Sequence, residues 1–186
     1  MKPILGELVT LSSSRGLQLH GILYRQDVQR TTVIHIHGSL GNFYGNTFIP
    51  LMAKMYSEAG INFLSINTSC HDGIAEGDRK GIFEYVGGSF TDFTECLYDL
   101  EGVIAYAKAF SDRIILQGHS LGCDRVLYYL LNSRMHYDFI LLAPCDSYQL
   151  QINWIAPETV EEQIKRLKAS GQTGDEFDWL PSREYG

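Results

Sequence analysis

A serine stands between two glycines at Gly118-His119-Ser120-Leu121-Gly122, and its neighbours prescribe what it can do. Upstream, Ile114-Ile115-Leu116 is a short apolar strand pattern, and downstream, residues 121–132 carry a helical one. A strand that turns straight into a helix strains the backbone of its turning residue and exposes that side chain. The residues two before and two after must then lack bulk, which Gly118 and Gly122 satisfy. The chemistry such a turn supports is nucleophilic attack by the Ser120 hydroxyl. The Leu121 amide, at the start of a helix, is then aimed at the negative oxygen that develops.

A second glycine turn, His37-Gly38-Ser39-Leu40-Gly41, follows the β-branched run Thr31-Thr32-Val33-Ile34-His35-Ile36. The Ser39 amide there can act as a second oxyanion donor; a plain glycine-rich strand-to-helix turn is the simpler account. A serine hydroxyl is a weak nucleophile without a base, so the six histidines matter. His20 falls in an early hairpin, His35 inside a buried strand and His37 in the oxyanion turn. His119 precedes Ser120, with its ring expected to turn away, and His136 sits at the far end of a helix. His71, in Ser69-Cys70-His71-Asp72-Gly73, lies just past a strand on the rim where sites form in α/β sheets. It is the candidate catalytic base, or else a structural member of that loop. Asp146 follows a later strand at the same rim, where an aspartate can cap the following turn.

These residues need elements to hold them. Residues 7–13 and 17–25 read as a hairpin turning at Ser14-Arg15-Gly16. Residues 31–37 read as a buried central strand. A helix is predicted over 46–59, with Phe48, Leu51, Met52, Met55, Tyr56 and Ala59 on its apolar face and Gly60 as its stop. Residues 61–67 form the next strand, and 68–90, with five glycines, a long rim loop. The next helix, over 91–110, has Thr91 as N-cap and Phe93, Leu97, Leu100, Ile104 and Ala107 as its stripe. Strands over 112–117 and 138–143 flank the helix at 121–132. This order predicts an α/β three-layer sandwich, its sheet mostly parallel and opened by an N-terminal antiparallel hairpin. Strand signals stop after Pro144. Residues 1–146 therefore read as the core, and 147–186 as a lid-like helical and irregular tail carrying Trp154, Phe177 and Trp179.

With 186 residues, 45% apolar and 20% charged, the chain can bury a proper core. A net charge of −7 argues against nucleic acid or an anionic membrane as the main partner. No stretch approaches the roughly 18 consecutive apolar residues of a membrane span. The N-terminus has no apolar signal-peptide region. The four cysteines form no C-x-x-C pair, which reads as reduced thiols in a cytoplasmic protein. His35 and His37, two apart on a strand, share a face as metal ligands can, but no third and fourth ligand accompany them. The P-loop lysine and the G-x-G-x-x-G fingerprint are both missing. No metal and no cofactor is therefore expected.

Through Val33-Ile34-His35-Ile36-His37-Gly38-Ser39, residues 67–73, residues 114–122 and Ile140-Leu141-Leu142-Ala143-Pro144-Cys145-Asp146, the chain resembles the serine-hydrolase (esterase/lipase-type) branch of the α/β-hydrolase superfamily. The resemblance covers residues 5–146. It implies carboxylesterase-like hydrolysis of an ester or similar acyl bond in a small-molecule substrate. Ser120 is then the nucleophile, the Leu121 and Ser39 amides are the oxyanion donors, and Asp146 stands where some members place the acid. It also implies two further strands after the lid, with an acid after the seventh and a histidine after the eighth. Neither the strands nor the histidine has a counterpart here, so the sequence reads as truncated before them. The strand at 139–142 would then be a bare edge inviting a second copy of the chain or a complementary C-terminal half. The missing base motivates the alternative, a catalytically inactive hydrolase-fold fragment or half that serves as an interaction module.

Overall fold

The computed structural model describes residues 4–26 and 30–145, with single positions at 162, 165 and 169. In chain order the elements are β1 (Glu7–Ser12), β2 (Gln18–Tyr24), β3 (Thr31–Ile36), α1 (Phe48–Glu58) and β4 (Asn62–Ile66), then β5 (Ala75–Arg79) and β6 (Ile82–Val86). A 3-10 turn (Phe93–Glu95) leads into α2 (Cys96–Lys108), followed by β7 (Arg113–His119), α3 (Leu121–Ser133) and β8 (Asp138–Leu142). The main sheet runs in the order β1-β2-β4-β3-β7-β8. β1 and β2 pair antiparallel, Glu7 opposite Leu23, and β2 pairs antiparallel with β4. From β4 through β3 and β7 to β8 every pairing is parallel.

Side-chain alternation sorts the core into two layers. Val33, Phe63 and Ile115 point to one face, where Ile49 and Ala53 of α1 meet them. Their neighbours Ile34, Ile36, Leu64, Ile66, Ile114 and Leu116 point to the other, against Leu100, Val103 and Ile104 of α2 and Val126 and Tyr129 of α3. Each fully buried Val, Leu, Ile or Phe among them contributes roughly 1.5–3 kcal/mol of apolar burial. The result is the three-layer α/β sandwich with an N-terminal antiparallel hairpin that the element order predicts.

Three local expectations are corrected. Residues 68–90 are not a plain loop, because β5 and β6 form an antiparallel hairpin within them. Its turn is Lys80-Gly81, both at positive φ (57° and 84°), the backbone that matches the twist of paired strands. The inward face of α1 is Ile49, Met52, Ala53 and Tyr56, while Leu51 and Met55 are exposed at 64% and 68%. Asp92, not Thr91, caps the turn before α2, accepting from the Thr94 amide at 2.7 Å. The Thr91 hydroxyl instead donates to the Ser69 carbonyl.

Topology also fixes where a site can lie. β3 leads through α1 to β4 on one side, whereas β7 leads through α3 to β8 on the other. The carboxyl ends of β3 and β7 are adjacent, and their loops part to opposite faces. That is the switch point of an open α/β sheet, where the loops leave a crevice. Chain contacts divide the protein into Met1–Pro144 and Cys145–Gly186. Asp146 and the predicted tail over 147–186 lie outside the described residues, apart from the three single positions. Among the described residues no helix is long and apolar enough to cross a membrane.

Candidate active site

β7 turns into α3 at Ser120, whose backbone sits at φ 52° and ψ −125°. A non-glycine residue held there costs of order 1–3 kcal/mol, so its surroundings must enforce it. The Ser120 amide donates to the Leu142 carbonyl of β8 at 3.0 Å, and the Ser120 carbonyl accepts from the Cys123 amide at 2.8 Å. The Cys123 thiol donates to the carbonyls of Gly118 (3.3 Å) and Leu142 (3.4 Å). Gly122 lets α3 close on β3: a β-carbon there would lie 2.2 Å from the Ile36 carbonyl oxygen and 2.6 Å from that of His37. Leu121 opens α3, so its amide has no acceptor within the helix.

The turn after β3 abuts this elbow. A β-carbon on Gly38 would stand 3.0 Å from the Ser120 β-carbon and 3.2 Å from the His119 carbonyl oxygen. Ser39 is therefore held beside Ser120, and its amide makes no hydrogen bond among the described residues. The turn is braced by the Gly41 amide on the Gly38 carbonyl (3.2 Å) and by the Asn67 side chain on the Phe43 amide (2.9 Å).

The histidines divide sharply. The Thr68 amide can only donate, and it donates to His37 Nε2 at 3.1 Å. His37 therefore carries its proton on Nδ1, which donates to the Gly38 carbonyl at 2.8 Å. Burial, with the nearby Arg125 charge, brings the His37 pKa down to about 3. In His35, Nδ1 accepts from the Gln117 side-chain amide at 3.0 Å, and burial followed by His119 lowers its pKa to about 3. Its Nε2 has no hydrogen-bond partner among the described residues, so this core histidine is only half satisfied. Both rings are neutral. His35 packs among Phe48 and Phe63, while His37 bonds Gly38 and Thr68. Among the described residues no group of three or more His, Cys, Asp or Glu is gathered to hold a metal ion.

His119 lies against the Phe48 ring, centroids 4.9 Å apart. His20 pairs with the Thr10 hydroxyl on the hairpin. His136 is at the opposite end of the sheet, around a cavity with Lys108, Arg113 and Tyr137. His71 Nδ1 lies 2.9 Å from Asp72 Oδ2, and that carboxylate also accepts from Asn42 Nδ2 (2.6 Å) and the Tyr44 hydroxyl. Desolvation raises the Asp72 pKa, but the hydrogen bonds from Tyr44, His71 and Asn42 outweigh it and leave it below the usual carboxylate value. An ionised Asp72 can only accept, so Nδ1 is the His71 nitrogen that donates to it. His71 borders a cleft with Gln18, His20 and Glu76. Among the described residues no hydrogen bond joins it to Ser120, and β3 separates its strand from β7.

Two buried charged residues belong to this neighbourhood and escape the sequence reading. Arg125 of α3 is 2% exposed, and its Nη1 donates to the carbonyls of His37 (3.0 Å) and Gly38 (3.4 Å). Asp99 of α2 is 1% exposed and accepts from the Ser69 amide (2.8 Å) and hydroxyl (2.7 Å). Burial pushes the Asp99 pKa up to about 6 against the pull of those bonds. The signal that finds them is a charge on an apolar stripe: Asp99 beside Cys96, Leu100 and Val103, and Arg125 beside Gly122, Val126 and Tyr129.

No family model and no curated protein sequence matches the chain. Solved structures do match. Est1E from Butyrivibrio proteoclasticus, with ferulic acid bound, aligns at 20% identity over 77% of this chain and 56% of its own, with a TM-score of 0.60. DcsB in complex with its substrate analogue aligns at 16% identity over 92% of this chain and 56% of its own (TM-score 0.65). The Pyrococcus furiosus esterase Pf2001 aligns at 16% identity over 91% of this chain and 61% of its own (TM-score 0.62). The chain thus spans between half and two thirds of the length of these proteins, and at such identities the likeness is one of fold.

Proposed function

We propose that this chain, whose fold is that of the α/β-hydrolases, carries the nucleophile and oxyanion donors of a serine hydrolase acting on an ester or similar acyl bond. The observation that carries the reading is Ser120 at positive φ at the switch point, with the Gly38 turn pressed against it. In this reading the Ser120 hydroxyl oxygen attacks the acyl carbon. The carbonyl oxygen becomes an oxyanion, taken by the Leu121 and Ser39 amides. A base removes the hydroxyl proton and returns it to the leaving alcohol, and water then hydrolyses the acyl-enzyme.

Among the described histidines the proposed base is His71. His35 and His37 are buried and neutral, His119 lies against the Phe48 ring, and His20 and His136 lie elsewhere. His71 has the bonding of a base with its orienting acid: Nδ1 on Asp72, Nε2 left to accept. The ends of β4 and β7 lie two strand spacings apart, about 10 Å, a gap that the loop carrying His71 spans in this reading. Asp72 takes the orienting role by contact. Asp146, the acid expected from sequence, lies outside the described residues.

The test is covalent labelling with a fluorophosphonate, read by intact mass. One adduct on the wild-type chain and none on Ser120→Ala is the expected result. A folded wild-type chain without adduct would sink the activated serine. Loss of labelling in His71→Gln identifies the base, and retention removes His71 from that role. Esters of aromatic acids, the class to which the acid bound in Est1E belongs, head the substrate panel.

A further inference from the structure

We propose that Arg125 and His37 are positioning residues that aim the Ser39 amide, by holding the carbonyl at the other end of its peptide unit. The proposal rests on Ser39 being an oxyanion donor.

The Gly38 carbonyl and the Ser39 N–H belong to one planar unit, and in the trans form they point in opposite directions. Fixing one therefore fixes the other. The Gly38 carbonyl accepts from His37 Nδ1 (2.8 Å), the Gly41 amide (3.2 Å) and Arg125 Nη1 (3.4 Å). His37 and Arg125 are both buried, so this carbonyl faces the interior and the Ser39 amide faces out beside Ser120. The direction of the His37 bond is itself determined, because the Thr68 amide occupies Nε2 and leaves the proton on Nδ1. A cation at the carbonyl end also polarises the unit, and hydrogen bonds in series strengthen one another, so the Ser39 N–H becomes a stronger donor.

Arg125 is an expensive choice for mere packing. It occupies the apolar stripe of α3 at 2% exposure. Its Nε has no hydrogen-bond partner among the described residues, and no direct ion pair there neutralises it. Asp99 acts on it only through space. An aliphatic side chain would fill a helix stripe without that desolvation. What the guanidinium does hold is the pair of carbonyls that shape the oxyanion turn, His37 and Gly38.

The experiment follows the Ser39 amide in the 15N-labelled chain, since an amide nitrogen responds to hydrogen bonding at the preceding carbonyl. It compares wild type, Arg125→Met, Arg125→Lys and His37→Leu, with thermal unfolding of each. In Arg125→Met the Ser39 15N resonance should move upfield, further than any amide outside the turn. The fluorophosphonate labelling rate should fall about tenfold or more, as for a weakened oxyanion donor. Arg125→Lys, which keeps a charged donor, should lie between Met and wild type in both readouts. Should Arg125→Met fail to fold, His37→Leu removes the shortest of the three bonds and should give the same upfield move. A folded Arg125→Met with Ser39 unmoved, or a lysine variant no closer to wild type than methionine, overturns the proposal even if the melting temperature drops. An unlabelled wild-type chain would instead sink the reading of Ser120, while the Ser39 resonance still decides the positioning.

Discussion

Gly118 and Gly122 approach so closely that a β-carbon on Gly118 would stand 2.4 Å from the Gly122 carbonyl oxygen and 2.5 Å from the Cys123 nitrogen. Both obstacles are backbone, which cannot swing aside as a side chain can. Gly118→Ala and Gly122→Ala should each open the elbow, costing about 1–3 kcal/mol or more as overpacked substitutions do. Gly73→Ala is the control, because its β-carbon would meet nothing within 4 Å, and it should stay within about 0.5 kcal/mol. Urea unfolding of the three variants checks this. Equal stability across them would mean the elbow is looser than its geometry requires.

Acid should destabilise the protein through two histidines. In the fold His35 and His37 titrate at about 3, against 6.5 for a free histidine, so the unfolded chain takes up protons that the folded one refuses. Stability therefore falls as pH drops from 6.5 towards 3. Asp99 works the other way: it keeps a proton up to about 6, against 3.8 unfolded, so its contribution weakens as pH rises between those values. Two groups outweigh one, and urea midpoints should decline from pH 6.5 to 4.5. Asp99→Asn removes the opposing contribution and should steepen that decline; an unchanged slope would contradict the assignment.

The β5–β6 turn contains an avoidable strain. Lys80 sits at φ 57°, a conformation that costs a side chain with a β-carbon about 1 kcal/mol. Lys80→Asn should raise the unfolding midpoint, because asparagine tolerates that region. Gly81→Ala, at φ 84°, should lower it, at a cost of about 1 kcal/mol in stability. Thermal melts of the two variants should move in opposite directions.

Asp72 offers a sharper separation of roles. It gathers Asn42, Tyr44 and His71, which ties the loop after β3 to the loop after β4. Asp72→Asn keeps the size and removes the charge. Under the proposed base, the fluorophosphonate labelling rate should fall tenfold or more with little change in melting temperature. A lower melting temperature with unchanged labelling would make the cluster a clamp and nothing else.

The sequence exposes the elbow because its demands are local: two glycines at fixed offsets, a strand before and a helix after. The central strand β3 is legible for the same reason, in its β-branched run. The β5–β6 hairpin is hidden because Glu76, Gly77, Asp78 and Arg79 look like loop residues, and their strand partners, residues 82–86 across the Lys80-Gly81 turn and Leu17 opposite Arg79, are met only in the fold. The inward face of α1 is masked in the sequence because Leu51 and Met55 are apolar yet exposed. The partners of Asp99 and Arg125 could not be read, since Ser69 and the His37-Gly38 carbonyls lie far off in the chain and are met only through packing.

The Leu142 carbonyl, at the end of β8, receives the backbone amide of Ser120 and the thiol of Cys123 together. The amide bond makes β8 a strut under Ser120. Among the described strands it lies at the sheet margin, paired only with β7. A force or a neighbour that shifts this outer strand will be felt at Ser120, so the rim of the sheet and the turn from β7 into α3 form one mechanical unit.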